Sequence, residues 1–126
     1  STARYVRPGA KTNAIINDIG YMDTYLFQPT SYINVYLPSR NTVSSKMGTV
    51  YNDYGDSWSE IGYNSVIFIH VIVSRHATGA ICVRPEDTNT PLVNENGDSI
   101  TLDMRKGDCA TFAYINQTWY LFNKNF

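Results

Sequence analysis

Charge is scarce in this chain. Lys, Arg, Asp and Glu make up 17% of its 126 residues, and the formal net charge is -1. That share is below the usual one for a soluble domain. With no broad basic footprint, nothing steers the chain to nucleic acid or an anionic membrane. Cysteine is scarce too. Cys82 and Cys109 are the only two, too few for a disulfide scaffold and without zinc spacing. Both lie in strand-like runs and are read as buried free thiols, since a bridge would require neighbouring strands. Long apolar runs are also missing. The most apolar one, residues 66–73, is interrupted by His70 and is too short to cross a bilayer. No charged segment leads into an apolar one at the start, as a secretory signal would require. Ser1 stands where a methionine would, as expected of a domain taken from a longer protein. Asn, Gly, Pro and β-branched residues interrupt every candidate helical window.

What remains is rich in aromatics and β-branched residues. Hydrophobic residues reach 43% and aromatics 13%, with ten tyrosines. Solubility then rests on Asn, Thr, Ser and Tyr, a surface that suits carbohydrate contact or protein packing. Residues 99–103 and 109–115 alternate around a charged turn at 104–108, and a third run, 118–122, follows an Asn-Gln turn. Upstream, residues 32–37 place Tyr32, Asn34 and Tyr36 on one face and Ile33, Val35 and Leu37 on the other, and Pro38 ends the run. Residues 64–74 give the strongest strand, central or covered on both faces. Residues 79–84 give the next, closed by Pro85, with Arg75 and His76 in the turn between. Residues 15–19, 25–27 and 47–51 add weaker strands. Residues 86–90 and the Asn-Gly turn at 94–97 separate the last ones. Seven to nine short strands predict an all-β domain, a small antiparallel β-sandwich or jelly roll, with no exact internal repeat. Residues 1–20 read as a stem-proximal linker with a first strand, and 21–126 as the single sandwich domain.

Catalytic chemistry finds no footing. No G-x-S-x-G elbow or Gly-rich phosphate cradle is present. His70 sits in a strand and His76 in a turn, without a metal-binding partner pattern. His70 reads as a half-buried side chain at a sheet face or subunit contact. Asp53 and Asp56 lie three apart in a loop, and Glu86 and Asp87 are adjacent. A glycosidase needs two carboxyl groups held on rigid elements. The oxygens of residues 52–56 do not have EF-hand spacing. No enzymatic activity, cofactor or metal is expected. The sharper candidate is an aromatic loop in which Tyr51, Tyr54, Trp58 and Tyr63 surround Asn52, Asp53, Asp56 and Glu60. Aromatic rings can cover the C–H face of a sugar while carboxylates and amides take its hydroxyls, and the same groups make protein hot spots. The bland alternative is that Trp58 and some tyrosines cap the core. The candidate ligand-binding residues are Asn52, Asp53, Tyr54, Asp56 and Trp58, with Arg75, His76, Glu86 and Asp87 as secondary ones.

One longer pattern spans most of the chain from about residue 30. It runs INVYLP (33–38), the apolar strand 66–73, ITL (100–102), KGD (106–108), the aromatic strand 110–114 and Trp119-Tyr120. It resembles the distal domains of phage tail fibres and related virion attachment proteins. Residues 1–20 depart from it and could be a linker from a fibrous stem. The resemblance implies a homotrimer on the virion, outside the cell, grown from an upstream fibre shaft. It also implies contact with a bacterial surface polysaccharide or an outer-membrane protein. No individual recognition residue carries over. Two other readings stay open: a structural knob of a tail needle or capsid spike without a ligand pocket, and, more remote, a secreted carbohydrate-binding module.

Overall fold

The strongest strand of the sequence is also the centre of the larger sheet. Ile67–Val73 alternates strictly, with Ile67, Ile69, Val71 and Val73 buried and Phe68, His70 and Ile72 half-buried. In the computed structural model the described residues are 3–6, 14–15, 22–46, 49–51, 57–59 and 66–126. They form β1 (Ala3–Val6), β2 (Ala14–Ile15), β3 (Met22–Phe27), β4 (Tyr32–Leu37), α1 (Arg40–Lys46), β5 (Thr49–Tyr51), β6 (Ser57–Ser59) and β7 (Ile67–Val73). After these come β8 (Ala80–Pro85), β9 (Leu92–Val93), β10 (Leu102–Met104), β11 (Cys109–Ile115) and β12 (Thr118–Lys124).

Two sheets face each other, in the orders β1-β3-β7-β11-β12-β9 and β10-β8-β4-β2, and β5 and β6 pair apart as a hairpin. The sheets are mixed, where sequence alone led us to expect antiparallel ones. β1, β3 and β7 run parallel in one sheet, and β2, β4 and β8 run parallel in the other. The chain therefore climbs by arches, with β1, β3 and β7 of the first sheet followed by β2, β4 and β8 of the second. This is how parallel neighbours are reached without a helical crossover. Ala3 stands opposite Thr24 and Ala14 opposite Val35, a spacing of 21 residues in both sheets. The next spacing is larger, Met22 to Phe68 and Tyr32 to Ala80, and the extra residues carry α1 and the β5–β6 hairpin. Each arch contacts its neighbours in register, as in a short β-solenoid.

Stacking in register aligns like with like. Ile33 lies beside Ile81 and Ile81 beside Met104; Val35 lies beside Val83 and Val83 beside Leu102. All are buried between the sheets with Tyr25, Phe27, Val71, Phe112 and Trp119. The stack ends where the direction reverses. β10 runs antiparallel to β8 and β11 antiparallel to β7. β12 then returns along β11 through Asn116 and Gln117, whose φ values of 50° and 62° make the left-handed two-residue turn that a twisted hairpin favours. Trp119, fully buried, donates its indole N–H to the Pro38 carbonyl at 2.8 Å and packs on Tyr114. The cap is thereby fastened to the end of β4.

The short helix α1 was not expected from sequence, and its stability comes from outside itself. Seven residues, most of them weak helix formers, would not hold alone. Ser39 caps it, accepting from the Thr42 N–H at 3.1 Å. The Arg40 N–H donates to Thr90 Oγ1, and Glu86 Oε1 accepts from the Ser39 N–H and the Thr42 hydroxyl. Val43, fully buried, anchors the helix to the core.

Candidate functional site

Three turns lie side by side at one end of the stack: 28–31, 74–79 and 105–108. Backbone hydrogen bonds join the first two, from Ser74 N–H to Phe27, from Thr78 and Gly79 N–H to Pro29, and from Ala80 N–H to Ser31. The second and third are joined by Val73 N–H to Asp108 and Gly107 N–H to Val73. Gly79 permits the close approach, because a Cβ there would fall 2.6 Å from the Ser31 carbonyl carbon and nearer still to other backbone atoms of that residue.

Where these turns meet the outer face of the smaller sheet, an open groove of about 550 Å³ is lined by Thr30, Ser31, Tyr32, Thr78, Asp103 and Arg105, among others. This volume is within the usual range of small-ligand sites. Tyr32 is the prominent side chain, 60% exposed. It crosses the small outward side chains of β8, and its hydroxyl donates to Asp103 Oδ1 at 2.5 Å. That bond holds its phenol above the ordinary tyrosine range, with Cys82 adding to the effect. Cys82 lies buried in the same row, between Asn34 and Asp103 in register, and its sulfur accepts from the Arg84 guanidinium at 3.2 Å. The same hydrogen bond raises the affinity of Arg84 for its proton. A second depression of about 320 Å³ adjoins the groove, sharing Thr78, Gly79 and Arg105 and adding Ala77 and Lys106.

Among the described residues, an exposed ring stands beside a fixed carboxylate at Tyr32 and Asp103, a pairing suited to a sugar contact. Asn52, Asp53, Tyr54 and Asp56 lie outside the described residues, as does the side chain of Trp58. The backbone of Trp58 is in β6, opposite Val50. Arg75 and His76 are exposed in the turn beside the groove. Glu86 and Asp87 lie past the other end of β8, about 20 Å away at strand rise. Both are engaged within the chain, Glu86 at the start of α1 and Asp87 accepting from the Asn89 N–H at 2.9 Å. The two secondary pairs therefore do not share one site.

His70 Nδ1 lies 2.9 Å from Thr111 Oγ1 on the outer face of the larger sheet. That face also carries Leu26, Phe68, Ile72 and Tyr120, and Phe122 meets Phe68 edge to face at 5.3 Å. The two cysteines are free, and their strands, β8 and β11, belong to different sheets. Among the described residues no cluster of His, Cys, Asp and Glu could hold a metal ion.

Tyr32 and Asp103 were missed as a pair because 71 positions separate them. The available signal was the placement of Tyr32 on the polar face of an alternating strand. The partner strand is set by topology. No known protein family, no curated protein and no solved structure matches this chain.

Proposed function

We propose that this domain is the distal attachment tip of a phage tail fibre or spike, a homotrimer on the virion that holds a bacterial surface glycan or outer-membrane protein and catalyses nothing. One observation carries the binding reading: the exposed Tyr32 ring, hydrogen-bonded to Asp103, at the mouth of an open groove. The ring supplies an apolar platform, and Asp103 supplies an acceptor for hydroxyls beside it. The fibre setting is supported by the tail-fibre-like sequence pattern and by the one-way stack of arches. Such a stack needs a cap, and β10, β11 and β12 provide one, while among the described residues β1 and β2 form the opposite edges, where a shaft would join. Trimer formation would cover the apolar outer face around Phe68 and Phe122, the latter 63% exposed. Three weak sites on one virion fibre would then act together.

The engagement of Glu86 and Asp87 within the chain favours one other reading, a structural knob without a ligand. The deciding experiment is staining of a panel of bacterial strains with the fluorescently labelled protein, with mass by light scattering on the same sample. A trimer that stains a strain, is competed by that strain's surface glycan or protein and loses staining on Tyr32→Ala is the expected result. A trimer that stains nothing transfers the weight to the knob. A monomer at micromolar concentration counts against both.

A further inference from the structure

Charge is distributed unevenly along the groove. Asp103 is at the Tyr32 end, whereas Arg105 lines both depressions and Lys106 the adjoining one. Arg75 and His76 are exposed on the neighbouring turn. On the described turns beside the groove, the other charged or titratable groups are Arg75, His76, Arg105, Lys106 and Asp108. Both carboxylates are already engaged, Asp103 by the Tyr32 hydroxyl and Asp108 by the Arg105 backbone N–H at 2.9 Å. Among the described residues no ion pair occupies Arg75, Arg105 or Lys106. The donors to the two carboxylates are neutral and leave both charged, so Asp103 and the two adjoining turns together carry three cations against two anions, a net positive charge of one beside the aromatic platform.

We infer that the groove takes an acidic saccharide. A neutral sugar ring rests on Tyr32 with a hydroxyl on Asp103, and the anionic substituent, a carboxylate or phosphate, lies at Arg105 and Lys106. This deepens the glycan reading above and rests on it. Asp103 contributes selectivity, since it repels an anion placed at the Tyr32 end and so fixes the direction in which the ligand lies. Arg105 suits either anion, because its planar fork bonds two oxygens at once.

The test uses the full chain and two matched pairs of probes, followed by NMR shift titration at low and high salt. One pair is oligogalacturonate and its methyl ester. The other is a phosphorylated mannan oligosaccharide and its dephosphorylated form. The expected result is that at least one acidic probe binds about tenfold or more tightly than its neutral partner, with the advantage shrinking as salt rises. Which pair responds identifies the anion. Arg105→Ala combined with Lys106→Ala should erase the advantage and leave neutral-sugar binding in place, whereas Tyr32→Ala should weaken both forms. Equal binding within both pairs overturns the acidic preference and leaves the glycan reading standing. Absence of binding by all four probes overturns both. A salt-sensitive advantage that survives the double substitution overturns the placement of the anion.

Discussion

Replacing Gly79 with alanine tests how the groove is built. The new Cβ would fall 2.6 Å from the Ser31 carbonyl carbon and closer to its backbone N and O. These are main-chain atoms, so no side chain can rotate away, and the turn at 28–31 must move. Three backbone hydrogen bonds span the gap, at 3.0 and 3.2 Å to Pro29 and 3.3 Å to Ser31. Overpacking costs about 1–3 kcal/mol, and each of the three weakened bonds adds about 1 kcal/mol, so the expected total is about 4–6 kcal/mol. Gly97 is the internal control. A Cβ there meets nothing within 4 Å, and only its φ of +81° opposes substitution, which costs about 1–2 kcal/mol. Urea unfolding should show the difference. With a slope of about 1.5 kcal/mol per molar, Gly79→Ala lowers the midpoint by about 3–4 M and Gly97→Ala by about 1 M. Equal costs at the two sites would refute the close apposition of the turns, and with it the shape of the groove.

Three further outcomes are expected. Trp119→Phe removes the donor to Pro38 and leaves space beside Tyr114, destabilising the domain by about 2–3 kcal/mol; an unchanged urea midpoint would deny that the cap is fastened there. Tyr32 should be among the last tyrosines to ionise, because Asp103 holds its proton. A raised folded pKa means that its contribution to stability is complete below the unfolded value of about 10 and is lost as pH climbs toward the folded one. Asp103→Asn should bring that ionisation down, read as phenolate absorbance against a Tyr32→Phe reference, and an unmoved curve would contradict the bond. Finally, a maleimide should label Cys109 ahead of the buried Cys82, by about 100-fold or more because Cys82 reacts only through opening of the fold. Equal rates would place Cys82 at the surface.

The sequence shows the strands well where one face is buried and the other is not. Residues 32–37 alternate as read, with Ile33, Val35 and Leu37 buried, because a period of two leaves only one solution to burial. The C-terminal run 109–115 matches its strand, and the turn signals at 74–78, 94–97 and 116–117 mark turns. The helix α1 was not legible, since beyond the local Ser39 cap its first turn is held by Glu86 and Thr90, more than forty positions away. Parallel stacking was equally hidden. Residues 3–6 (ARYV) and 24–27 (TYLF) are in register as backbone partners, yet they share too little composition to announce a repeat.

The sequence by itself determined the class of element and the chemistry of its faces. Scarce charge, abundant β-branched and aromatic residues and closely spaced turn residues leave little besides short strands around an apolar core. Tertiary structure alone decided which strands became neighbours and in which direction. Pairing depends on long-range register, and a strand's alternation is the same beside a parallel or an antiparallel partner. That choice placed Tyr32 across β8 from Asp103 and set Arg105 at the same groove. It also carried Glu86 to the far end of β8, where its carboxylate is engaged at the start of α1.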